Sequence, residues 1–316
     1  MRLAVYLPLL IPLLAALGAG PLSRRLPPRV GTWVLTGAAV VLAGCSTAAL
    51  GLLAATVIVR VPALSVFGGY SLAVVHRDDP ASTWVALGAA VALGAATLAA
   101  ARLMWRRVRA VLAAYRQARC LPGVEQLVVL PGAAPAAFAV PGRPGRVVVS
   151  TAMLDVLDSA EQQVLLAHER AHLAHRHYLF LAMAHLAAAA NPLLRPVSAA
   201  VAYTVERWAD EDAAAEVDNR RLAARTIGKA ALVAARSPGM DRGSPELVLG
   251  VGAAPSLAGA GPVPRRVAAL LAAPVAARWV LHAAVLAVVA ASALAVLEGQ
   301  QDLERLLELA RAATGR

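Results

Sequence analysis

The hydrophobic residues of this chain concentrate in four long runs, each close to the length of about 20 residues that an α-helix needs to cross a bilayer. These runs occupy residues 3–22, 33–59, 84–103 and 279–297. A tryptophan lies near an end of each of the last three runs, where the amphipathic indole prefers the membrane surface. The pattern therefore predicts four transmembrane helices. The first run is not predicted to be a cleaved signal peptide, because two prolines interrupt it and further spans follow.

Arginine residues mark one end of these predicted spans more strongly than the other. Three arginines follow the first run, six lie between residues 102 and 119, and three precede the fourth run. On the opposite side the arginines are fewer, or acidic residues offset them. By the positive-inside rule, we expect a multi-pass protein of the cell membrane with its amino terminus outside and segment 104–278 in the cytoplasm.

Segment 104–278 has the length of a soluble domain, and its pattern predicts both helices and strands. The predicted elements are a linker helix at 106–119, strands at 126–130, 136–140 and 146–150, and helices at 158–177, 178–190 and 199–235. A Pro/Gly-rich turn at 141–145 indicates that the second and third strands form a hairpin. Asp158 and Glu161 have the spacing of a capping box at the start of the first long helix.

Three further segments complete the pattern. Helix 178–190 is apolar but too short to cross a bilayer, so we expect a buried or membrane-dipping helix. Residues 237–264 are rich in Gly, Pro and Ser and predict a loop. Residues 300–313 predict a short amphipathic helix after the last span.

The expected fold class is a mainly α membrane protein. Residues 1–103 hold three transmembrane helices, residues 104–278 form a cytoplasmic α+β domain, and residues 279–316 form the fourth helix and the tail. The composition agrees, since 59% of residues are hydrophobic and 16% are charged, whereas an ordinary soluble domain has about 25% charged residues. Such a chain is not disordered, and its two cysteines provide neither a disulfide framework nor a four-cysteine metal site. The net charge of +11 reflects membrane topology, so no direct nucleic-acid binding is expected.

The clearest chemical signal is the sequence His168-Glu169-Arg170-Ala171-His172. Histidines four residues apart lie on one face of a helix, so both imidazoles can bind the same ion. Zinc accepts neutral imidazole nitrogen and in catalytic sites keeps one position for water. Glu169 can take a proton from that water and return it to the leaving amine. The spacing is typical of zincin peptidases, and the alternative is a histidine pair on the polar stripe of a helix.

A catalytic zinc ion needs a third protein ligand. Glu206 is the first candidate, and Asp210, one turn later on the same helix face, is the candidate that orients a ligating imidazole. His175 is a rival ligand, but three ligands on consecutive turns of one straight helix rarely converge on one ion. His175 and His177 are instead expected to be cations at a helix end or at the membrane surface. The alternative for the two acids is a solvated helix face, because further acidic residues follow them.

The hairpin ahead of the zinc-binding helix suggests how a substrate is held. An edge strand beside a zincin helix can pair with an extended peptide and place its scissile carbonyl over the metal. Residues 136–140 are the candidate edge, and Ala136, Phe138 and Val140 are the candidate substrate-binding residues. A purely structural strand is the alternative.

Together these features resemble those of the BlaR/MecR-type membrane zinc peptidases. The resemblance rests on three spans before the domain, a fourth span after it, and the segments Ala136–Gly142, Val147–Ser150 and Leu166–His172 with the pair Glu206 and Asp210. It implies a zinc endopeptidase that faces the cytoplasm and often acts on a transcriptional repressor, with Glu206 as the third ligand. Only about 19 residues follow the last predicted span, so neither the extracellular penicillin-binding sensor domain of such receptors nor β-lactam sensing is expected.

Two alternatives predict a different role. Membrane peptidases of the HtpX and CAAX-processing kind share the zinc motif but usually distribute their spans differently around it. A signal-transducing membrane protein would bind a partner through this domain without cutting it, and Arg170 occupies a position that soluble zincins usually keep uncharged. The expected partners are a protein or peptide substrate, for which a repressor is one candidate, and the lipid bilayer. The sequence leaves open whether the chain forms a homodimer.

Overall fold

The computed structural model describes most of the chain. The described residues are 4–59, 83–120, 126–132, 134–142, 145–236, 263–276 and 279–312. Within these ranges the chain is mostly helical and carries a small three-stranded sheet, as the sequence predicts.

Three long apolar helices come first along the chain, strands and shorter helices follow, and a fourth long apolar helix comes last. The helices are α1 (Leu7–Arg25), α2 (Pro28–Val59), α3 (Thr83–Cys120), α4 (Thr151–Val156), α5 (Ser159–Ala174), α6 (His177–Ala190), α7 (Arg195–Glu216), α8 (Arg220–Arg236), α9 (Val263–Leu271) and α10 (Trp279–Ala312). The strands are β1 (Leu127–Leu130), β2 (Ala137–Val140) and β3 (Arg146–Ser150). Short 3-10 helices lie at Ala4–Tyr6 and Pro192–Leu194.

Four of these helices, α1, α2, α3 and α10, are long and apolar enough to cross a membrane, which supports a membrane protein. Two of them, α3 and α10, extend more than ten residues beyond the predicted spans. The predicted linker helix at 106–119 is the continuation of α3, since neither Pro nor Gly separates it from the span. The predicted amphipathic helix at 300–313 is likewise the continuation of α10, described as far as Ala312.

The predicted helix at 158–177 divides into α5 and the start of α6. Its beginning is confirmed: Asp158 accepts a hydrogen bond from the Glu161 N–H at 2.8 Å, and the Glu161 carboxylate accepts one from the Asp158 N–H at 3.1 Å. Arg176 then adopts a left-handed conformation with φ of 51°. This turn ends α5 at Ala174, earlier than predicted, and His177 is the first residue of α6. His177 therefore lies beside the end of α5.

Helices α6 and α7 form an apolar hairpin that packs against α1 and α2. At its tip, the Asn191 amide donates to the Ser46 hydroxyl at 3.0 Å, in the middle of α2. Nearer the other end, the ring of Phe180 packs edge-on against Trp33, with ring centroids 4.8 Å apart. The predicted buried or membrane-dipping helix at 178–190 is thus a helix with one face buried against the bundle, whereas Leu179 and Met183 on its other face are exposed.

The predicted helix at 199–235 also contains a turn, which separates α7 from α8. Asp218 adopts a left-handed conformation with φ of 48°, which Asp tolerates better than most residues. Asn219 then caps α8, its side-chain oxygen accepting from the Leu222 N–H at 2.9 Å. The turn folds α8 back against α5 and α7.

The three strands form a mixed sheet in the order β1-β3-β2. Strands β2 and β3 pair antiparallel as the predicted hairpin, and β1 runs parallel to β3 with Leu127 opposite Val147. Val147 and Val149 belong to the main core of the domain together with α5 residues such as Val164. Among the described strands, β2 lies at an edge of the sheet, as predicted.

Two helices do not follow from the sequence pattern. Helix α4 starts directly after β3, where the Ser150 hydroxyl accepts from the Met153 N–H at 3.2 Å. Helix α9 begins inside the predicted loop at 237–264, of which residues 237–262 lie outside the described part of the chain. It packs against α8 and α7 and thereby reaches the centre of the domain.

Arg207 ties α7 to the end of α1 and generates a prediction about stability. Its side chain is buried and donates to the carbonyl oxygens of Ser23 at 3.0 Å and Leu26 at 3.5 Å. Arg207→Leu leaves these buried carbonyls without a donor, so we expect a loss of about 1–3 kcal/mol, measured as a lower thermal midpoint in detergent. Arg195→Leu, an exposed position on the same helix, is the control. Equal midpoints for the two variants would contradict this role.

Candidate metal centre

Two histidines of α5 and one glutamate of α7 converge in the interior of the domain. The Nε2 atoms of His168 and His172 lie 3.2 Å apart. Glu206 Oε2 lies 3.7 Å from His168 Nε2, and Glu206 Oε1 lies 3.7 Å from His172 Nε2. One ligand atom from each residue can be chosen so that all three lie within 4.8 Å of one another. All three side chains are buried. The four-residue spacing on α5 and the packing of α7 against it thus bring the three predicted ligands together.

The second nitrogen of each imidazole has its own neighbour. His168 Nδ1 lies 3.1 Å from Asp210 Oδ1. His172 Nδ1 lies 2.8 Å from His177 Nδ1. Asp210 therefore lies next to the nitrogen of His168 that faces away from the ligand cluster, a position from which it can orient this imidazole as predicted. The neighbour of the second histidine is a ring nitrogen rather than a carboxylate.

Arg266 of α9 belongs to the site, although the sequence analysis counted it among the cations that mark the membrane side of the fourth span. It is 1% exposed, and its Nη1 lies 2.8 Å from Glu206 Oε2. Its Nε and Nη2 donate to the two oxygens of Asp210 at 2.8 and 2.5 Å. The signal that could have revealed it is its place on the apolar face of α9, between Val263 and Leu270.

The buried charges of this site favour a divalent cation. Glu169, Glu206 and Asp210 supply three negative charges, and Arg266 supplies one positive charge, so two negative charges stay uncompensated when the imidazoles are neutral. Such burial is costly without a partner. Arg266 Nη1 pairs with Oε2 of Glu206 at 2.8 Å, whereas Oε1 of Glu206 lies 3.7 Å from His172 Nε2, so the carboxylate keeps lone pairs that face the two imidazoles. Two imidazole nitrogens and a carboxylate oxygen are a donor set that suits zinc.

In the absence of an ion, protons take over part of this compensation. Burial opposes the protonation of His168, but the hydrogen bonds and charges of Asp210 and Glu206 outweigh it and raise the pKa of His168 to about 10. Burial is the main cause that raises the pKa of Glu169 to about 7. Burial acts against ionisation of Asp210 as well, but Arg266 and His168 lower the pKa of Asp210 to about 2. Without an ion, His168 is therefore protonated near neutral pH and Glu169 is partly protonated.

Glu169, the candidate proton carrier, lies between the ligands and the sheet. Its side chain is buried, and its carboxylate accepts a hydrogen bond from the backbone N–H of Ala139 in β2. The edge strand and the acid are therefore in direct contact. This contact brings the candidate substrate-binding edge next to the candidate metal centre.

The hydrogen-bonding pattern of the sheet shows which groups of β2 face outward. The backbone N–H of Val147 in β3 donates to Gln126 O, next to β1, at 2.8 Å. Successive residues of a strand point their backbone groups to opposite sides, so the backbone of Val148 points toward β2. Its partner there is Phe138, whose backbone groups therefore point toward β3. The backbone groups of Ala137 and Ala139 point away from β3, toward the outer edge where Glu169 lies.

The three residues predicted to bind substrate, Ala136, Phe138 and Val140, occupy the positions whose backbone groups point toward β3. The backbone oxygen of Ala136 accepts from the Ser150 N–H at 2.9 Å, and the Ala136 N–H donates to the Ser150 hydroxyl at 2.9 Å. Phe138 and Val140 pack with Val148 in a small cluster separate from the core that holds α5. These side chains therefore support the sheet from its other face.

The expectation that His177 is a cation is wrong. His177 is 0% exposed, and burial, followed by the nearby histidines, lowers its pKa to about 3, so its ring is neutral. The cause is the left-handed turn at Arg176, which directs the next residue into the domain. His175 instead approaches Asp212 at 2.7 Å and stacks on Trp208 with ring centroids 4.5 Å apart. The rival third ligand thus faces away from the cluster.

Comparison with known proteins supports a zincin-type metallopeptidase. The model of Peptidase family M48 matches residues 102–190. This range includes β1 to β3 and the whole of α5, with His168, Glu169 and His172, and it ends before the helix that supplies Glu206. No curated protein and no solved structure matches the chain.

The buried Glu169 predicts a pH dependence of the metal-free protein. Its pKa of about 7 in the folded state exceeds its ordinary value of 4.5, so the folded protein keeps a proton that the unfolded chain releases between these values. Glu169 should therefore contribute less to the free energy of unfolding after chelation as pH rises from about 4.5 to 7, by at most about 3 kcal/mol. Because the buried neutral ring of His177, whose pKa is about 3, acts in the opposite direction, the contribution of Glu169 is the difference between the wild type and Glu169→Gln. Chemical unfolding of both proteins at several pH values measures this difference, and a difference that does not change with pH would contradict the prediction.

Proposed function

We propose that this chain is a membrane-embedded zinc endopeptidase that cleaves a protein substrate on the cytoplasmic side of the membrane. The observation that carries the proposal is the buried cluster of His168, His172 and Glu206, with Glu169 directly beside it. The match to Peptidase family M48 supports metallopeptidase activity in general. The protein substrate and the cytoplasmic position of the site are proposed in addition to this general activity.

The residues of the site divide the chemistry between them. His168, His172 and Glu206 hold the ion. Bound there, zinc would polarise the scissile carbonyl and make a water molecule more acidic. Glu169 takes the proton of the attacking water and transfers it to the leaving amine. Glu169 is buried directly beside the ligands, so its carboxylate lies within reach of a water molecule held at this site.

Two further residues keep the ligands in place. Asp210 Oδ1 lies 3.1 Å from His168 Nδ1, so it is placed to accept the hydrogen that a neutral imidazole carries on Nδ1 when its Nε2 binds an ion. Arg266 holds both Asp210 and Glu206 through close ion pairs. The two acids of α7 are therefore fixed from one side by a third helix, α9.

The outer edge of β2 offers a binding site for an extended peptide. The outward N–H and C=O groups of Ala137 and the outward C=O group of Ala139 can pair with a substrate strand, as in other cases of β-strand addition. The N–H of Ala139 already donates to Glu169. The contact of Ala139 with Glu169 places this strand next to the acid. A substrate paired there would pass its backbone across the metal centre.

The substrate is proposed to be close to the membrane. Helix α7 supplies Glu206 and is also bonded through Arg207 to the end of α1, where the arginine cluster predicts the cytoplasmic surface. A transcriptional repressor is our first candidate, by the resemblance to BlaR/MecR-type peptidases. A membrane protein, cleaved as by HtpX or CAAX-processing peptidases, is the second candidate.

The purified full chain in detergent tests the proposal. We expect one zinc ion per chain, measured by mass spectrometry, and cleavage of a purified repressor encoded beside this gene or of casein. His168→Ala should lose both zinc and cleavage, whereas Glu169→Gln should keep zinc and lose cleavage by about 10²-fold or more. Asp212→Asn, which alters an acid outside the cluster, is the matched control. A wild-type chain that binds no zinc, or a fully active Glu169→Gln variant, would refute the proposal.

The same Glu169→Gln variant distinguishes a protease from a signalling protein that does not cut its partner. Expressed in cells, it should abolish a response that depends on cleavage. A response that persists at the wild-type level with this variant would favour binding without proteolysis.

The edge strand generates a separate prediction. Ala137→Pro removes an outward N–H without removing a hydrogen bond of the sheet, so we expect a lower kcat/KM with an unchanged zinc content. Ala137→Gly keeps the N–H and is the control for loss of the methyl group. If the proline variant is as active as the glycine variant, substrate does not pair with this edge.

A further inference from the structure

We propose that His177 is a positioning residue of the metal centre. It accepts a hydrogen bond from His172 and holds that ligand in the tautomer that offers Nε2 to the ion. This inference rests on the proposed function, because it concerns how a ligand of that site is prepared. His177 lies outside the zincin motif, five residues after His172 and in a different helix.

The contact between the two rings is short and buried. Their Nδ1 atoms are 2.8 Å apart, and the rings are nearly perpendicular, with an interplanar angle of 82° and centroids 4.9 Å apart. His172 is 4% exposed and His177 is 0% exposed. Two ring nitrogens at this distance form a hydrogen bond only when one carries the hydrogen and the other offers its lone pair.

The ligand cluster determines the direction of this hydrogen bond. His172 Nε2 faces His168 and Glu206, so coordination requires a lone pair on that nitrogen. The neutral ring of His172 must then carry its hydrogen on Nδ1. The acceptor is therefore Nδ1 of His177. With the opposite direction, His172 would place an N–H where the ion has to bind.

The fold holds His177 in this orientation. The left-handed turn at Arg176 brings its ring back to α5. The rings of His175 and Trp208 lie on its other sides, with centroids 5.6 and 4.8 Å away. Its Nε2 atom is buried and has no hydrogen-bond partner among the described residues. A buried N–H without a partner costs about 1–3 kcal/mol, so a histidine retained only for packing has no advantage here over an apolar ring.

The choice of a neutral acceptor also matches the charge of the site. The other ligand, His168, is backed by the carboxylate of Asp210, whose charge is compensated by Arg266. A second carboxylate behind His172 would add a negative charge without a partner. His177 provides the acceptor without that charge, so the site keeps the two negative charges that one divalent ion neutralises.

The zinc affinity of the full chain in detergent, measured by competition with a chromogenic chelator, tests this inference. His177→Phe keeps an aromatic ring against Trp208 but removes the acceptor, and we expect zinc affinity to fall about 10–100-fold. His177→Asn restores an acceptor close to the position of Nδ1 and should recover most of the affinity. His175→Phe, which keeps the stacking on Trp208, is the matched control and should leave the affinity unchanged.

Comparison of the variants separates positioning from mere packing. Thermal midpoints identify any variant that is misfolded, and His177→Leu is the second acceptor-free variant if His177→Phe does not fold. A folded, acceptor-free variant that binds zinc as tightly as the wild type would overturn the inference. So would a folded His177→Asn variant that binds as weakly as His177→Phe. A wild-type chain that binds no zinc would instead overturn the proposed function.

Discussion

Charge compensation inside the domain is the constraint on which the candidate metal centre depends. Glu206 and Asp210 can be buried on one helix because Arg266 arrives from α9 and pairs with both. Without that guanidinium, the two acids and Glu169 would place three like charges in an interior of low polarity, where charge is expensive to bury. With it, the cluster retains the two negative charges that suit a divalent ion. The site therefore requires α9 to pack against α7, because α9 supplies Arg266.

The site is built into the helical bundle rather than attached to it. Helix α7 carries Glu206 on one face and packs against α1, α2 and α6 on others. Arg207, the next residue, binds carbonyl groups at the end of α1, and the tip of the α6–α7 hairpin is bonded to α2 through Asn191 and Ser46. Helix α7 therefore connects Glu206 directly to the candidate membrane helices.

Local signals in the sequence were sufficient for much of the fold. The four apolar runs, the hairpin at β2 and β3, and the capping box of Asp158 and Glu161 each depend on neighbouring residues, and the structure contains all of them. The left-handed turns at Arg176 and Asp218 were not foreseen, because neither residue is a glycine and the helical pattern continues past both. Helix α9 was also not foreseen, since its amphipathic pattern is short and adjoins a segment rich in Gly and Pro.

The sequence by itself determined that two imidazoles share one helix face with a carboxylate beside them, because a spacing of four residues is a property of any α-helix. It also identified Glu206 as a third donor of the right chemistry. Only the tertiary structure decided which groups stand behind these donors. Arg266 and His177 reach the site through helix packing and through a single backbone turn, and neither follows from the motif. Contacts between distant segments depend on how the helices pack, and the periodicity of one segment contains no information about its partner.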